Sequence, residues 1–195
     1  MTAGLLSGLV ASAQRGDAGA WDLLVQRFAG LVWAVARGYG LAASDADDVS
    51  QTTWLRLAEH LDRIRQPDRL GAWLAATARH EALRVIRRAE RHVAIDTLDD
   101  RAPEDEPSAD HRLLEEERDA ALWEAVEALS PPCKTLLRVM VSSPPPSYEE
   151  ISAALGMPVG SIGPTRSRCL DRLRRRAEPR LDDTWEPVTF RRSTR

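Results

Sequence analysis

Apolar positions recur along most of this chain with the 3.6-residue period of a helix, and nowhere do they alternate with a period of two over a strand length. Leu24, Phe28, Leu31 and Val35 follow the i, i+4, i+7, i+11 pattern, which predicts an amphipathic helix from Ala18 to Gly38, closed by the glycines of "GYG". A second helix is predicted at "SDADDV", with Ser44 as its cap and Asp45, Asp47 and Asp48 near the positive end of the helix dipole. Its apolar face runs through Val49, Thr53 or Trp54, Leu57 and Leu61. "RQPDRLG" breaks the pattern, and a long helix is predicted from Asp68 to His92.

From Val93 to Asp110 the period lapses into prolines and acids, with too little apolar surface to order a segment, so this stretch reads as a flexible linker. Helical pattern resumes near Arg112 with Leu122, Val126 and Leu129 on one face. It stops at "SPP" and restarts for Leu136, Leu137 and Met140. A proline-rich turn, "SSPPPS", leads into a last helical unit, and the tail beyond Glu178 is polar and reads as loose. The predicted fold class is all-α, with two small helical domains joined by an acidic tether.

Composition narrows this picture. With 195 residues and 43% of them apolar, the chain suits a globular protein of one or two small domains. Charges interrupt every apolar stretch before the roughly 18 residues that a membrane span requires. "MTAGLLSGLVASAQRGD" lacks the basic start of a signal peptide, so the cytoplasm is the expected location. Cys133 and Cys169, 36 positions apart, suit neither a disulfide framework nor a thiol redox motif and read as free thiols.

The net charge of -3 conceals a strong pattern. Arg63 to His92 carries +5, Asp96 to Asp119 carries -8, and Pro164 to Arg180 carries +5. A local field within a screening length, and not the sum over the chain, is what draws a polyanion. Lys134 is the one lysine among the 27 cationic residues. Arginine dominance fits forked contacts to phosphate and base edges, and a GC-rich coding bias produces the same composition.

Three constellations carry candidate chemistry. In "SYEEISAALGMPVGSIGPTRSRCLDRLRRR", Ser147 and Glu150 form a capping box, Ile151 and Leu155 give an apolar face, and Gly156 suits a left-handed helix end. A short turn and an Arg-studded second helix complete a helix-turn-helix, for which a plain helical hairpin is the structural alternative. On the second helix Arg168, Arg172, Arg175 and Arg176 share a face, Arg166 lies near the start, and Ile162, Cys169 and Leu173 point inward. Gly163 and Pro164 place the start of its regular part at Pro164.

On the long central helix, His80, Arg84, Arg87, Arg88 and Arg91 fall within a sector of about 100°, with Trp73 on the same stripe. Arginines holding phosphates beneath a ring that stacks on an unpaired base make a single-strand surface; a core Trp73 under a solvated basic face is the alternative. Third, Asp45, Asp48 and Gln51 form an acidic, polar patch, suited either to helix capping or to a basic protein partner.

Enzymatic signals are missing: there is no phosphate loop, no zinc-protease motif and no nucleophile elbow. His60, His80, His92 and His111 share no metal-ligand spacing, so neither a metal nor a cofactor is expected.

In order, "RGDAGAWDLLVQRFAGLVWAVAR", "DADDVSQTTWLRL", "GAWLAATARHEALRVIRR" and "LSPPCKTLLRVMVSSPPPSYEEISAALGMPVGSIGPTRSRCLDRLRRR" resemble the successive regions of the extracytoplasmic-function group of bacterial sigma factors. The resemblance implies a sigma-2 domain over 12–92, an acidic linker over 93–112, a sigma-4 domain over 113–177 and a loose tail over 178–195. It implies core RNA polymerase and promoter DNA, single- and double-stranded, as partners, with an anti-sigma factor as a further possible one. Asp48 and Gln51 match the polymerase-docking "D-x-x-Q-E" motif; Thr52 stands where Glu is usual, which shifts weight to Asp45 or Asp47. Trp73, His80, Arg84, Arg87 and Arg88 match the helix that melts and reads the minus-ten element. In the minus-thirty-five reader Arg168 keeps its place while Gly163, Pro164 and Thr165 replace an Arg-Ser-Arg, leaving Ser161, Thr165, Arg166, Arg168 and Arg172 as the DNA-facing set. The competing expectation is a polymerase-independent helix-turn-helix regulator with a helical dimerisation or sensing domain. That protein has no use for the Trp73 and Arg84 stripe.

Overall fold

The computed structural model describes residues 3–93 and 122–177; the predicted tether and tail lie outside the described residues. Every regular element among the described residues is helical. Helix α1 (Ala3–Gln14) was not foreseen from the sequence, because its glycines and serines dilute the pattern. Even so, Leu6, Val10 and Ala13, at i, i+4 and i+7, are buried. The Gln14 amide fixes its end by donating to the Leu61 carbonyl at 2.8 Å.

Helix α2 (Ala18–Gly38) has the predicted bounds. Asp17 caps it, its Oδ1 accepting from the Ala20 N–H at 3.2 Å, and Leu24, Phe28, Leu31 and Val35 are buried as the pattern required. Helix α3 (Ala43–His60) corrects the expected start. Ala42, in extended backbone, is the cap residue, and its carbonyl accepts from Ala46 N–H at 2.9 Å. Ser44 is therefore inside the first turn and cannot cap; of the three acids, Asp45 is the one in that turn. Thr53, and not Trp54, lies on the buried face, its hydroxyl donating to the Val49 carbonyl at 2.8 Å. Trp54 packs edge-on against Trp21, with ring centroids 6.5 Å apart.

Helix α4 (Leu70–Val93) begins later than Asp68, because Pro67 opens a separate 3-10 turn over Pro67–Arg69. Leu70, Leu74 and Ala78 are buried at helical spacing, and Ala75 and Ala82 widen that stripe with small side chains.

Residues 122–127 are helical, but their buried positions are Ala125 and, just beyond, Leu129, while Leu122 is exposed, so the expected Leu122, Val126, Leu129 face is rotated. Helix α5 (Pro131–Met140) starts on a proline, whose missing N–H costs nothing at that position. Helices α6 (Tyr148–Leu155) and α7 (Val159–Ala177) follow.

Cys133 of α5 and Cys169 of α7 are disulfide-bonded, with Cα atoms 5.5 Å apart, which overturns the expectation of free thiols. Linear spacing misled here. The chain reverses twice between them and brings the inward faces of α5 and α7 together, so that both residues are buried.

One apolar core runs through both halves. Leu136, Val139, Ile151, Ala154, Ile162 and Cys169 belong to the same cluster as Phe28, Leu31, Leu74 and Ala78. Helix α4 packs along α6, and α2 packs along α5.

Candidate nucleic-acid interface

The helix-turn-helix is built as the sequence prescribes. Ser147 Oγ accepts from the Glu150 N–H at 3.2 Å, and Glu150 Oε2 accepts from the Ser147 N–H at 2.6 Å, closing the capping box. Helix α6 ends on Gly156 at φ +66°, a left-handed conformation that costs glycine little, and its N–H donates to the Ser152 carbonyl at 2.8 Å. The Ser152 hydroxyl braces the turn by donating to the Met157 carbonyl at 2.6 Å.

Helix α7 corrects the expected start at Pro164. It is regular from Val159, with Pro164 inside. Pro164 has no N–H to donate to the Gly160 carbonyl four residues back, so the helix runs through it with one backbone hydrogen bond fewer. Ile162 and Cys169 are buried and Leu173 is half-buried, as expected. Arg168 and Arg172 are exposed, whereas Ser161, Thr165 and Arg166 are half-buried. Arg168 is held back along its own helix: its Nη2 donates to Thr165 Oγ1 at 3.2 Å and its Nε to the Pro164 carbonyl at 3.3 Å.

On α4, His80, Arg84, Arg87, Arg88 and Arg91 are exposed in one stripe. Arg84, Arg87 and Arg91 share a shallow hollow with Glu90. Trp73 differs from both sequence alternatives. It is half-buried, with one side on the core and its ring 6.4 Å from that of His60. The Thr77 hydroxyl donates to the Trp73 carbonyl at 2.8 Å.

Glu81 carries a contact that spacing did not reveal. It is buried between α3 and α4, with Oε1 2.7 Å from Arg56 Nη2 and Oε2 3.5 Å from Arg84 Nη1. The link to Arg84 is an i, i+3 pair visible in sequence; the link to Arg56 exists only once α3 and α4 pack.

On α3, Asp48 and Gln51 are exposed and Asp45 is half-buried. Leu55, 65% exposed and four residues beyond Gln51, extends their stripe with an apolar group that sequence reasoning had left out. Its signal was the failure to join the Val49, Thr53, Leu57 face.

Among the described residues no group of His, Cys, Asp and Glu could hold a metal ion, and no helix is long and apolar enough to cross a membrane.

Residues 24–92, spanning α2 to α4, match the family Sigma-70 region 2. The chain is 26% identical over 189 residues to the RNA polymerase sigma-H factor of Pseudomonas aeruginosa, covering 92% of this chain and 93% of that protein. It is 28% identical over 145 residues to the ECF RNA polymerase sigma factor SigE of Mycolicibacterium smegmatis, covering 73% of this chain. That match spans 55% of the SigE protein's own length. In fold it is similar to the sigma factor RpoE of Bartonella quintana, solved with the anti-sigma factor NepR, at a TM-score of 0.60 and 22% identity, covering 80% of this chain and 97% of that one. The fold is thus that of a two-part, all-helical sigma-type protein. Within that class, residues 24–92 carry the Sigma-70 region 2 match, and the chain is similar over most of its length to sigma factors that include one of the extracytoplasmic-function group.

Proposed function

We propose that this protein is a non-catalytic transcription initiation factor of the cytoplasm that binds bacterial core RNA polymerase and directs it to promoters. The α3 stripe of Asp48, Gln51 and Leu55, with Asp45 beside it, docks on the polymerase. On α4, Arg84, Arg87 and Arg88 hold the backbone of the separated minus-ten strand, while Trp73 and His80 meet its bases. Helix α7 enters the major groove of the minus-thirty-five duplex with Ser161, Thr165, Arg166, Arg168 and Arg172.

One observation carries this reading: a half-buried tryptophan heads an exposed arginine stripe on one helix, and an arginine-bearing helix-turn-helix lies on the same chain. A duplex-only regulator uses the second feature and leaves the first without work. Splitting recognition over two modest contacts lets each raise the effective concentration of the other.

Co-elution of the purified chain with core polymerase on gel filtration tests the polymerase contact. The wild-type chain should co-elute, and Asp48→Ala with Gln51→Ala should not. Free elution of the wild-type chain would refute the reading.

A further inference from the structure

The Cys133–Cys169 bond ties the arginine-bearing helix of the helix-turn-helix to its support. Cys133, 3% exposed, belongs to α5, whose Leu136 and Val139 are sunk in the core. Cys169, 1% exposed, belongs to α7. Of the 19 residues of α7, Ile162, Cys169 and Ala177 are the buried ones, and Pro164, between the first two, brings no backbone N–H to the helix. The disulfide is thus a covalent pin in a thin apolar attachment.

The place of the pin sets the rotation of α7. At about 100° per residue, Thr165, Arg172, Ser161 and Arg168 lie on one flank of Cys169, about 40° to 100° round the helix from it, and Arg166 lies about 60° round on the other flank. Turning the helix by about 20° would carry a side-chain tip about 5–6 Å from the axis through about 2 Å, more than a hydrogen bond to a base edge tolerates. With the sulfurs joined and the Cα atoms 5.5 Å apart, such a turn is opposed.

A bond of this kind is unusual where this chain is read to work. Thiol reductants of the cytoplasm keep most cysteines reduced, and the disulfides that do form there are mostly transient and either catalytic or redox-sensing. Resting on the initiation reading above, we propose that Cys133 and Cys169 are a thiol–disulfide exchange site that couples reading of the upstream element to the redox state of the cytoplasm. Joined, the two residues hold α7 in its reading rotation; reduced, they release it.

The reductant is of the dithiol class. Its thiolate attacks one sulfur, the Cys133–Cys169 bond breaks as a mixed disulfide forms, and the donor's second thiol then displaces the protein. Two electrons and two protons end on Cys133 and Cys169, and the donor leaves as a disulfide. Exchange in the opposite direction, with a small-molecule disulfide such as oxidised glutathione, remakes the bond. Both sulfurs are buried, so exchange requires α7 to lift locally, which its few buried side chains oppose only weakly.

The first test needs no polymerase. The full-length chain is equilibrated with glutathione at graded ratios of reduced to oxidised form, and its free thiols are trapped with a maleimide of added mass and read as a gel shift. The bond should be half formed within the series, with helicity by circular dichroism retained on reduction. A bond that stays intact throughout, or helicity lost along with it, would make the disulfide a fixed structural staple and overturn the proposal.

The second test reads the DNA contact. Core polymerase carrying the oxidised chain should bind a promoter that bears the upstream element roughly fivefold or more tighter than polymerase carrying the reduced chain, in keeping with the loss of one base-edge contact. Scrambling that element should abolish the difference. Cys133→Ala with Cys169→Ala, which controls for the polymerase's own thiols, should behave as the reduced chain under both conditions. Equal binding by the oxidised and reduced chains would overturn the coupling. A chain whose thiols titrate but which co-elutes with core polymerase in neither state would overturn the initiation reading, and with it the reading role of the bond, while the exchange site would stand.

Discussion

Thr135 reaches across the molecule to hydrogen-bond the carbonyl of Gly38, 97 residues earlier in the chain, at 2.6 Å. The same hydroxyl lies 3.0 Å from the Pro131 carbonyl of its own helix, so one group both ties off α5 and joins the halves. Both ends of the longer link are buried. Thr135→Val keeps the shape and strands the Gly38 carbonyl, which should cost about 1–3 kcal/mol. Urea denaturation followed by circular dichroism reads that cost, and an unshifted midpoint would mean that water reaches the carbonyl.

The Cys133–Cys169 bond closes a loop with a sequence separation of 36. Loop-closure entropy assigns such a crosslink up to about 4 kcal/mol. Cys133→Ala with Cys169→Ala should lower the denaturation midpoint and remove its dependence on dithiothreitol. The unreduced wild-type protein should show no reactive thiol in a denaturing thiol assay.

The capping box opening α6 gives a narrower prediction. Ser147→Ala leaves the Glu150 N–H without its partner and should destabilise the protein by about 1 kcal/mol. Ser147→Asp, which retains an acceptor at the cap, should recover most of that in the same melt.

What the sequence disclosed and what it withheld divide along a physical line. Periodicity located α2 to the residue, because Leu24, Phe28, Leu31 and Val35 bury a single stripe and Asp17 caps it. The turn before α7 was equally plain, since Ser147, Glu150 and Gly156 act locally. Starts set by backbone alone were misread. Ala42 caps α3 without a side-chain signal, and Pro164, a residue type that usually marks a helix start, sits inside α7. Contacts between distant segments, such as the Cys133–Cys169 bond, the Arg56–Glu81 pair and the Thr135–Gly38 link, left no trace in spacing. Of the candidate interface, residue types and faces were legible. The half-burial of Trp73 and the exposure of Leu55 depend on packing partners that a single helix does not reveal.

Arg168, braced by Thr165, is the best-positioned exposed cation on the first half of α7. Arg168→Ala should weaken recognition of the upstream duplex by polymerase carrying this chain by roughly 10-fold, in line with about 1–3 kcal/mol for a forked contact to a base edge. The loss should depend on the base sequence of the element. If Arg168 instead holds a phosphate, the loss will be uniform across sequences and the salt dependence will flatten.

The division of work between the two halves is tested most directly by following strand opening and start-site choice together, using wild-type, Trp73→Ala and Arg168→Ala chains with core polymerase. The account predicts that the wild-type chain gives transcripts from one defined start with permanganate-reactive thymines just upstream of it. Trp73→Ala should remain polymerase-bound and lose that reactivity by at least tenfold. Arg168→Ala should reduce occupancy while leaving the opened fraction of bound complexes unchanged. Full strand opening by Trp73→Ala would contradict the account.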